Sequence, residues 1–157
     1  KKAFTLIELL IVIGIIVILM AATLAAINPF RQFAQANNAS RWAGVNAILN
    51  AVSQRLVDNK GYFGDVDPNF PVTNCPGDGD DIPTSSVIIG SGSNQYNICS
   101  ILVPTYLAAL PKDPQGGNYN GCSDYNTQFT IRCDPTTKRV VICAPNAQLG
   151  ETICVSR

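Results

Sequence analysis

The chain has 157 residues with 11 basic and 11 acidic side chains, no histidine and six cysteines. Its zero net charge leaves no electrostatic footprint for nucleic acid, and the lack of histidine excludes Ser-His-Asp and Cys-His catalysis and histidine metal ligands. Roughly 28 residues go to an apolar N-terminal segment, leaving enough chain for one modest globular domain and not two.

The run from Phe4 to Ile27 is almost wholly apolar and carries one acid, Glu8, just behind Lys1 and Lys2. From Leu9 to Ile27 about 19 consecutive residues hold no charge and only Thr23 as a polar group, close to the ~20 that span a bilayer as helix. A secretory signal peptide fits poorly, because its apolar region is only about 7 to 15 residues long and ends at a small-residue cleavage site. The segment is therefore expected to stay with the protein. The two lysines ahead of it place the N-terminus in the cytoplasm and everything after Ile27 outside. A carboxylate at the centre of a membrane costs on the order of 2.5 to 3.5 kcal/mol even on lenient scales, so Glu8 calls for a partner or a task. The plainer reading is that it complements the positive end of the helix dipole at the interface.

The letters KAFTLIELLIVIGIIVIL closely resemble the class III signal segment of type IV pilins and type II secretion pseudopilins. This resemblance implies cleavage by a prepilin peptidase between Ala3 and Phe4 and N-methylation of the new Phe4 amine. Ala3 replaces the Gly usual before that bond and is small enough for it. The resemblance further implies that Glu8, fifth in the processed chain, pairs with the Phe4 amine of a neighbouring subunit as a filament assembles. Lys1 is read as a trimmed start within the leader, so that residues 1–3 are a leader remnant and 4–27 the membrane and filament-core half of a long helix.

Asn28-Pro29 interrupts the apolar run, and Pro is accepted in a first helical turn or at a kink. Phe30, Phe33, Trp42, Val45, Ile48, Leu49, Val52 and Leu56 then recur at helical spacing, which predicts an amphipathic half over 28–59. A continuous helix from Phe4 to Asn59 would be about 84 Å long. Gly14 and Pro29 are the two candidates for local unwinding. Asn38-Ala39-Ser40 matches a glycosylation acceptor, though three residues match by chance often.

From Lys60 to Gly92 the composition turns to Gly, Pro, Asp, Asn and Ser at loop density. This opens a globular head, 60–157, with a connecting αβ loop over 60–126. Cys75 and Cys99 bracket much of the loop, and a bridge between them would close about 25 residues for roughly 3 kcal/mol. Asp78, Asp80 and Asp81 are candidate calcium ligands, set against the plainer reading of an acidic turn, since the Glu that completes an EF-hand loop is absent. No other cofactor is expected. Gly90-Ser91-Gly92-Ser93 has the spacing of neither a P-loop nor a nucleophile elbow.

A short apolar segment, Ile98 to Leu110, leads to LPKDPQGGNY over 110–119. Asp-Pro and Gly-Gly are turn formers, so this is structural punctuation. It also resembles a signature of major pseudopilins and many pilins that turns the chain into the sheet. Three strands are then predicted, at 127–133, 139–144 and 152–156, as an antiparallel meander. Placing Cys133 opposite Arg139 puts Phe129, Ile131, Val141 and Ile153 on one face, towards the long helix. The same parity puts Cys143 and Cys154 on opposite faces and argues against a bridge between them. The six cysteines, Cys75, Cys99, Cys122, Cys133, Cys143 and Cys154, agree with an oxidising compartment; they allow 15 pairings, of which only Cys75 with Cys99 is singled out.

The expected fold is α+β in the manner of a type IV pilin: a long N-terminal helix on a small antiparallel sheet of three or more strands, stapled by disulfides. By the resemblance, the expected role is that of a non-enzymatic major pilin. It would be held in the inner membrane as a single-pass precursor, then built by the pilus assembly machinery into a helical homo-oligomeric filament on the cell surface. A minor pilin or a type II secretion pseudopilin is the alternative within the family, and a signal-anchored monomeric binding domain the alternative outside it. Adhesion, motility, DNA uptake and secretion all fit the architecture.

Overall fold

The computed structural model describes residues 3–26, 28–64 and 82–157. They fall into two compact units, Lys1–Ala34 and Gln35–Arg157. The first unit holds helix α1, Leu6–Ala26, and the start of α2, Pro29–Asp58. The second holds the rest of α2, strand β1 (Val87–Gly90), the single turn α3 (Cys99–Leu102), and strands β2 (Asn118–Tyr119), β3 (Tyr125–Cys133), β4 (Val140–Ala144) and β5 (Ile153–Ser156).

The single long helix expected from Phe4 to Asn59 is divided, and the sequence around the break explains why. Asn28 caps α2: its Oδ1 accepts from the Arg31 amide at 3.2 Å. Pro29 takes the first helical position, where no amide is needed and its fixed φ already suits a helix. Of the two unwinding candidates, Pro29 coincides with a break, while Gly14 lies inside the unbroken α1.

The face that α2 turns towards the head also differs from the apolar stripe. Val45, Ile48, Leu49 and Val52 are buried as expected, but Phe30 is 84% exposed, Phe33 70% and Trp42 38%. At the corresponding buried positions nearer the N-terminus stand Asn38 and Arg41. Polar side chains with partners in the head thus occupy one end of the interface, and a search for apolar periodicity passes over them.

The antiparallel sheet runs in the order β1-β3-β4-β5, with β2 paired to the beginning of β3. Along β3 every second residue is buried, from Tyr125 through Phe129 and Ile131 to Cys133. These pack with Val45, Ile48, Leu49 and Val52 of α2, and with Phe63, Ile82, Tyr96, Ile98 and Leu102 from the connecting segments, in one core. Gly44 sets how closely helix and sheet can approach. A Cβ at this position would lie 2.9 Å from Phe129 Cε2 and 3.4 Å from Pro111 Cβ.

The β3–β4 register is displaced by one residue from the expected pairing: Cys133 lies opposite Val140, not Arg139. Lys138 accounts for the extra residue in the turn. It takes φ +56°, its amide donates to Asp134 O at 2.8 Å, and the Asp134 amide reaches Arg139 O at 2.9 Å. A slip of one residue exchanges the two faces of a strand. Val140, Ile142 and Ala144 therefore face the core, while Val141, expected there, looks outward. Cys143 then stands directly opposite Cys154, and the two form the disulfide that the earlier parity opposed.

The second correction concerns Cys99, which bonds Cys122 and not Cys75. That bridge closes 23 residues, worth roughly 3 kcal/mol in the chain-entropy account. Cys133 is also disulfide-bonded; Cys75 lies outside the described residues. Tyr125 supports the same region from below. Its hydroxyl accepts from the Ile98 and Cys99 amides at 3.0 and 3.2 Å and donates to Asn97 Oδ1 at 2.8 Å.

Two stability measurements test this packing. Gly44→Ala would favour an exposed helix by about 1 kcal/mol. Here it should lower the thermal midpoint of the full chain in detergent, because the new methyl meets the Phe129 ring, and Phe129→Leu in the same chain should recover part of the loss. Burial pushes the Tyr125 phenol up to about 12, against the pull of the two amide donors. The folded state therefore holds this proton more tightly than the unfolded chain, so the contribution is complete below pH ~10 and disappears as pH rises through about 12. Tyr125→Phe should be less stable at neutral pH and should show a smaller alkaline loss on titration.

Candidate functional site

The N-terminal helix begins with a Thr-x-x-Glu cap. The Glu8 amide donates to Thr5 Oγ1 at 3.3 Å, and the Thr5 hydroxyl lies 3.5 Å from Glu8 Oε2. This fixes Glu8 in the first turn, where a carboxylate complements the helix dipole. Cap and dipole leave the negative charge itself without a cation: among the described residues Glu8 makes no ion pair. Phe4, which the proposed cleavage would make the first residue, is 80% exposed.

Beyond the cap, Leu6 to Leu24 form a helix of 19 residues, long and apolar enough to cross a membrane, and none of it is buried within the chain. At 1.5 Å per residue it measures about 28 Å, close to the ~30 Å hydrocarbon thickness of a bilayer. The one hydroxyl along it, on Thr23, donates back to Met20 O at 2.9 Å and so presents no unsatisfied donor.

Residues 1–24, the same segment, match the prokaryotic N-terminal methylation motif, the class III signal of type IV pilins and pseudopilins. Neither a curated protein nor a solved structure matches the chain. Together with a helix packed on an antiparallel sheet and two described disulfides, the motif gives the molecule a pilin-like α+β architecture.

The LPKDPQGGNY segment is a turn, as its composition demands, but Asp113 within it is no solvated turn residue. It is buried in the head and paired with Arg41 of α2, itself fully buried. Arg41 Nε donates to Asp113 Oδ2 at 2.6 Å and Nη2 to Oδ1 at 3.1 Å, a two-pronged contact between planar groups. The same guanidinium donates to Asn38 Oδ1 at 3.1 Å and to Gln115 Oε1 at 3.0 Å. Asn38 in turn exchanges hydrogen bonds with the backbone of Gln148, 2.8 Å through its Nδ2 and 2.9 Å through its Oδ1. One side chain therefore gathers α2, the 110–119 turn and the loop between β4 and β5. Asn38 is buried and committed to these bonds, so the Asn38-Ala39-Ser40 match is no accessible sugar acceptor.

Gly117 closes the turn. A Cβ there would lie 2.7 Å from Lys112 Cβ and 2.8 Å from the Asp113 amide nitrogen. The Asp113 amide donates to Thr127 O at 2.9 Å, which ties the turn to β3. Sequence reasoning recognised the turn and missed Arg41, because a basic residue on a predicted amphipathic helix reads as solvent-facing.

Asp78, Asp80 and Asp81, the calcium candidates, lie outside the described residues. Among the described residues no group of three or more Cys, Asp or Glu is placed to hold a metal ion. The open groove between α2 and Thr105-Tyr106 contains Ser53, whose hydroxyl donates to Leu49 O at 2.8 Å in its own helix.

Burial disfavours the Asp113 carboxylate, but the Arg41 hydrogen bonds and charge, with the Gln115 amide, outweigh it and hold the group below the ordinary value of 3.8. The folded state thus binds this proton more weakly than the unfolded chain. The contribution is complete above pH ~4 and is lost as pH falls through the lowered value. Arg41→Met, which strands a buried carboxylate, should cost about 3–5 kcal/mol. Denaturant titrations across the acid range should show that Asp113→Asn loses stability at pH 7 and loses less of the remainder on acidification than the parent chain.

Proposed function

We propose that the chain is a structural subunit, the major pilin of a type IV pilus-like filament. The observation carrying this reading is the uncovered apolar helix with Glu8 in its first turn, within the segment that matches the methylation motif. Prepilin peptidase would cut between Ala3 and Phe4 and leave a free α-amine, cationic near neutral pH because its ordinary pKa is about 8. Glu8 and the Phe4 amine of the next subunit then have opposite charges in a medium of low dielectric, where they are far more stable together than apart. Burial of the helix among identical helices supplies the bulk of the association energy. The carboxylate sets the axial register.

The LPKDPQGGNY turn favours a type II secretion pseudopilin as the second reading, since it resembles the signature of that branch. Against it, the Cys99–Cys122 and Cys143–Cys154 disulfides suit a long-lived fibre outside the cell.

Glu8→Ala is the discriminating variant. It should insert in the membrane and fold its head as the parent does, yet yield no filaments in electron micrographs of sheared surface material. Parent fibres should give N-methylated Phe4 as first residue by mass spectrometry. A parent that stays monomeric, or filaments indifferent to the substitution, would contradict assembly through this charge.

A further inference from the structure

The segment just past the apolar span carries a feature that filament assembly through Glu8 does not use. Phe30 and Phe33, 84% and 70% exposed, stand three residues apart and so on neighbouring positions of the first turns of α2. Arg31 lies between them, the first turn of α2 holds no acidic residue, and among the described residues Arg31 makes no ion pair. Two uncovered aromatic rings and an uncompensated cation thus follow a membrane-length helix by a few residues.

We propose that Phe30, Arg31 and Phe33 form an interfacial anchor that seats the stored precursor in the headgroup layer of the outer leaflet. The proposal rests on the membrane-stored state of the reading above and adds to it a lipid-binding surface. Depth supports it. Phe30 stands three residues past Ile27, where the apolar run of the sequence ends, so even a fully extended chain puts it no more than about 11 Å further out, and a helical side chain leans back towards the N-terminus. The headgroup layer extends about 5–7 Å beyond the hydrocarbon on each side, so the rings reach it. Phenylalanine on a helix that also carries basic residues beds into the boundary between headgroups and acyl chains, and an arginine stem lies along apolar surface while its head meets phosphate. The Asn28 cap and Pro29 give α2 a start of its own, which fixes these three side chains on an ordered first turn. Continuity with the span and the sign of Arg31 favour an anionic lipid surface over a second copy of the chain.

Trp42 is the only tryptophan, so single-tryptophan reporters are simple to build on a Trp42→Phe chain. The full chain is reconstituted in phosphatidylcholine–phosphatidylglycerol vesicles whose acyl chains carry bromine either near the carbonyl or near the terminal methyl. Leu19→Trp reports on the span, Phe30→Trp and Phe33→Trp on the anchor, and the parent Trp42 on the head. We expect the Phe30→Trp and Phe33→Trp emission to shift to the blue and to be quenched more by the shallow bromine. Leu19→Trp should be quenched more by the deep one, and Trp42 by neither. Quenching at Leu19→Trp with solvent-exposed, unquenched emission at both anchor positions would overturn the anchor while leaving membrane storage intact. Absence of quenching at Leu19→Trp as well would remove membrane storage itself, and the anchor with it.

Discussion

An apolar helix that its own chain does not cover constrains everything else about this molecule. Fourteen large apolar side chains between Leu6 and Leu24 stand exposed. At about 1.5–3 kcal/mol for burying each, water as the surrounding medium would leave tens of kcal/mol unrealised, against a net stability of about 5–15 kcal/mol for a typical domain. Glu8 opposes burial by only a few kcal/mol even at the membrane centre. The sum favours lipid or copies of itself over water as the surroundings of the helix, and either would have to accommodate the carboxylate. The free chain-end amine that the proposed cut beside Phe4 would leave in the same layer would answer that need without any further residue.

The head meets a different requirement: a small sheet must be held on one helix with limited apolar area. Gly44 lets α2 approach the Phe129 ring, and Arg41 fastens the helix to Asp113 and, through Asn38, to Gln148. A buried ion pair is rarely a large net stabiliser compared with apolar packing, but breaking one side of it is costly. Its value here is positional, since a two-pronged guanidinium contact fixes where the 110–119 turn sits on the helix. The disulfides act on the remaining weak points, Cys99–Cys122 in the connecting segment and Cys143–Cys154 at the sheet's edge strand.

What could be read from the letters follows from the physics of each signal. The span, its acid and the turn at 110–119 were legible because composition and spacing alone define them. The three strands of the meander were located to within about two residues for the same reason, whereas β1 and β2, four and two residues long, fell inside the segment read as a connecting loop. The core face of β3 and Ile153 of β5 were read correctly, but the facing of β4 was not, because Lys138 adopts a left-handed conformation that glycine or asparagine would normally announce, and one residue of slip reversed β4 and hid the Cys143–Cys154 bridge. The Cys75–Cys99 pairing failed on a related ground: spacing along the chain says how much entropy a bridge removes but not which sulfurs meet. Arg41 was missed because apolar periodicity weighs greasy residues, and the inward face of α2 is polar at Asn38 and Arg41.

The most direct test of the account is a cryo-electron microscopy reconstruction of filaments shed from the native cell, at a resolution that shows side chains. The account predicts α1 at the axis, enclosed by copies of itself, with the Glu8 carboxylate within about 4 Å of the methylated Phe4 amine of a neighbouring subunit. A fibre with α1 on its outside, or with Glu8 facing only lipid or solvent, would contradict it.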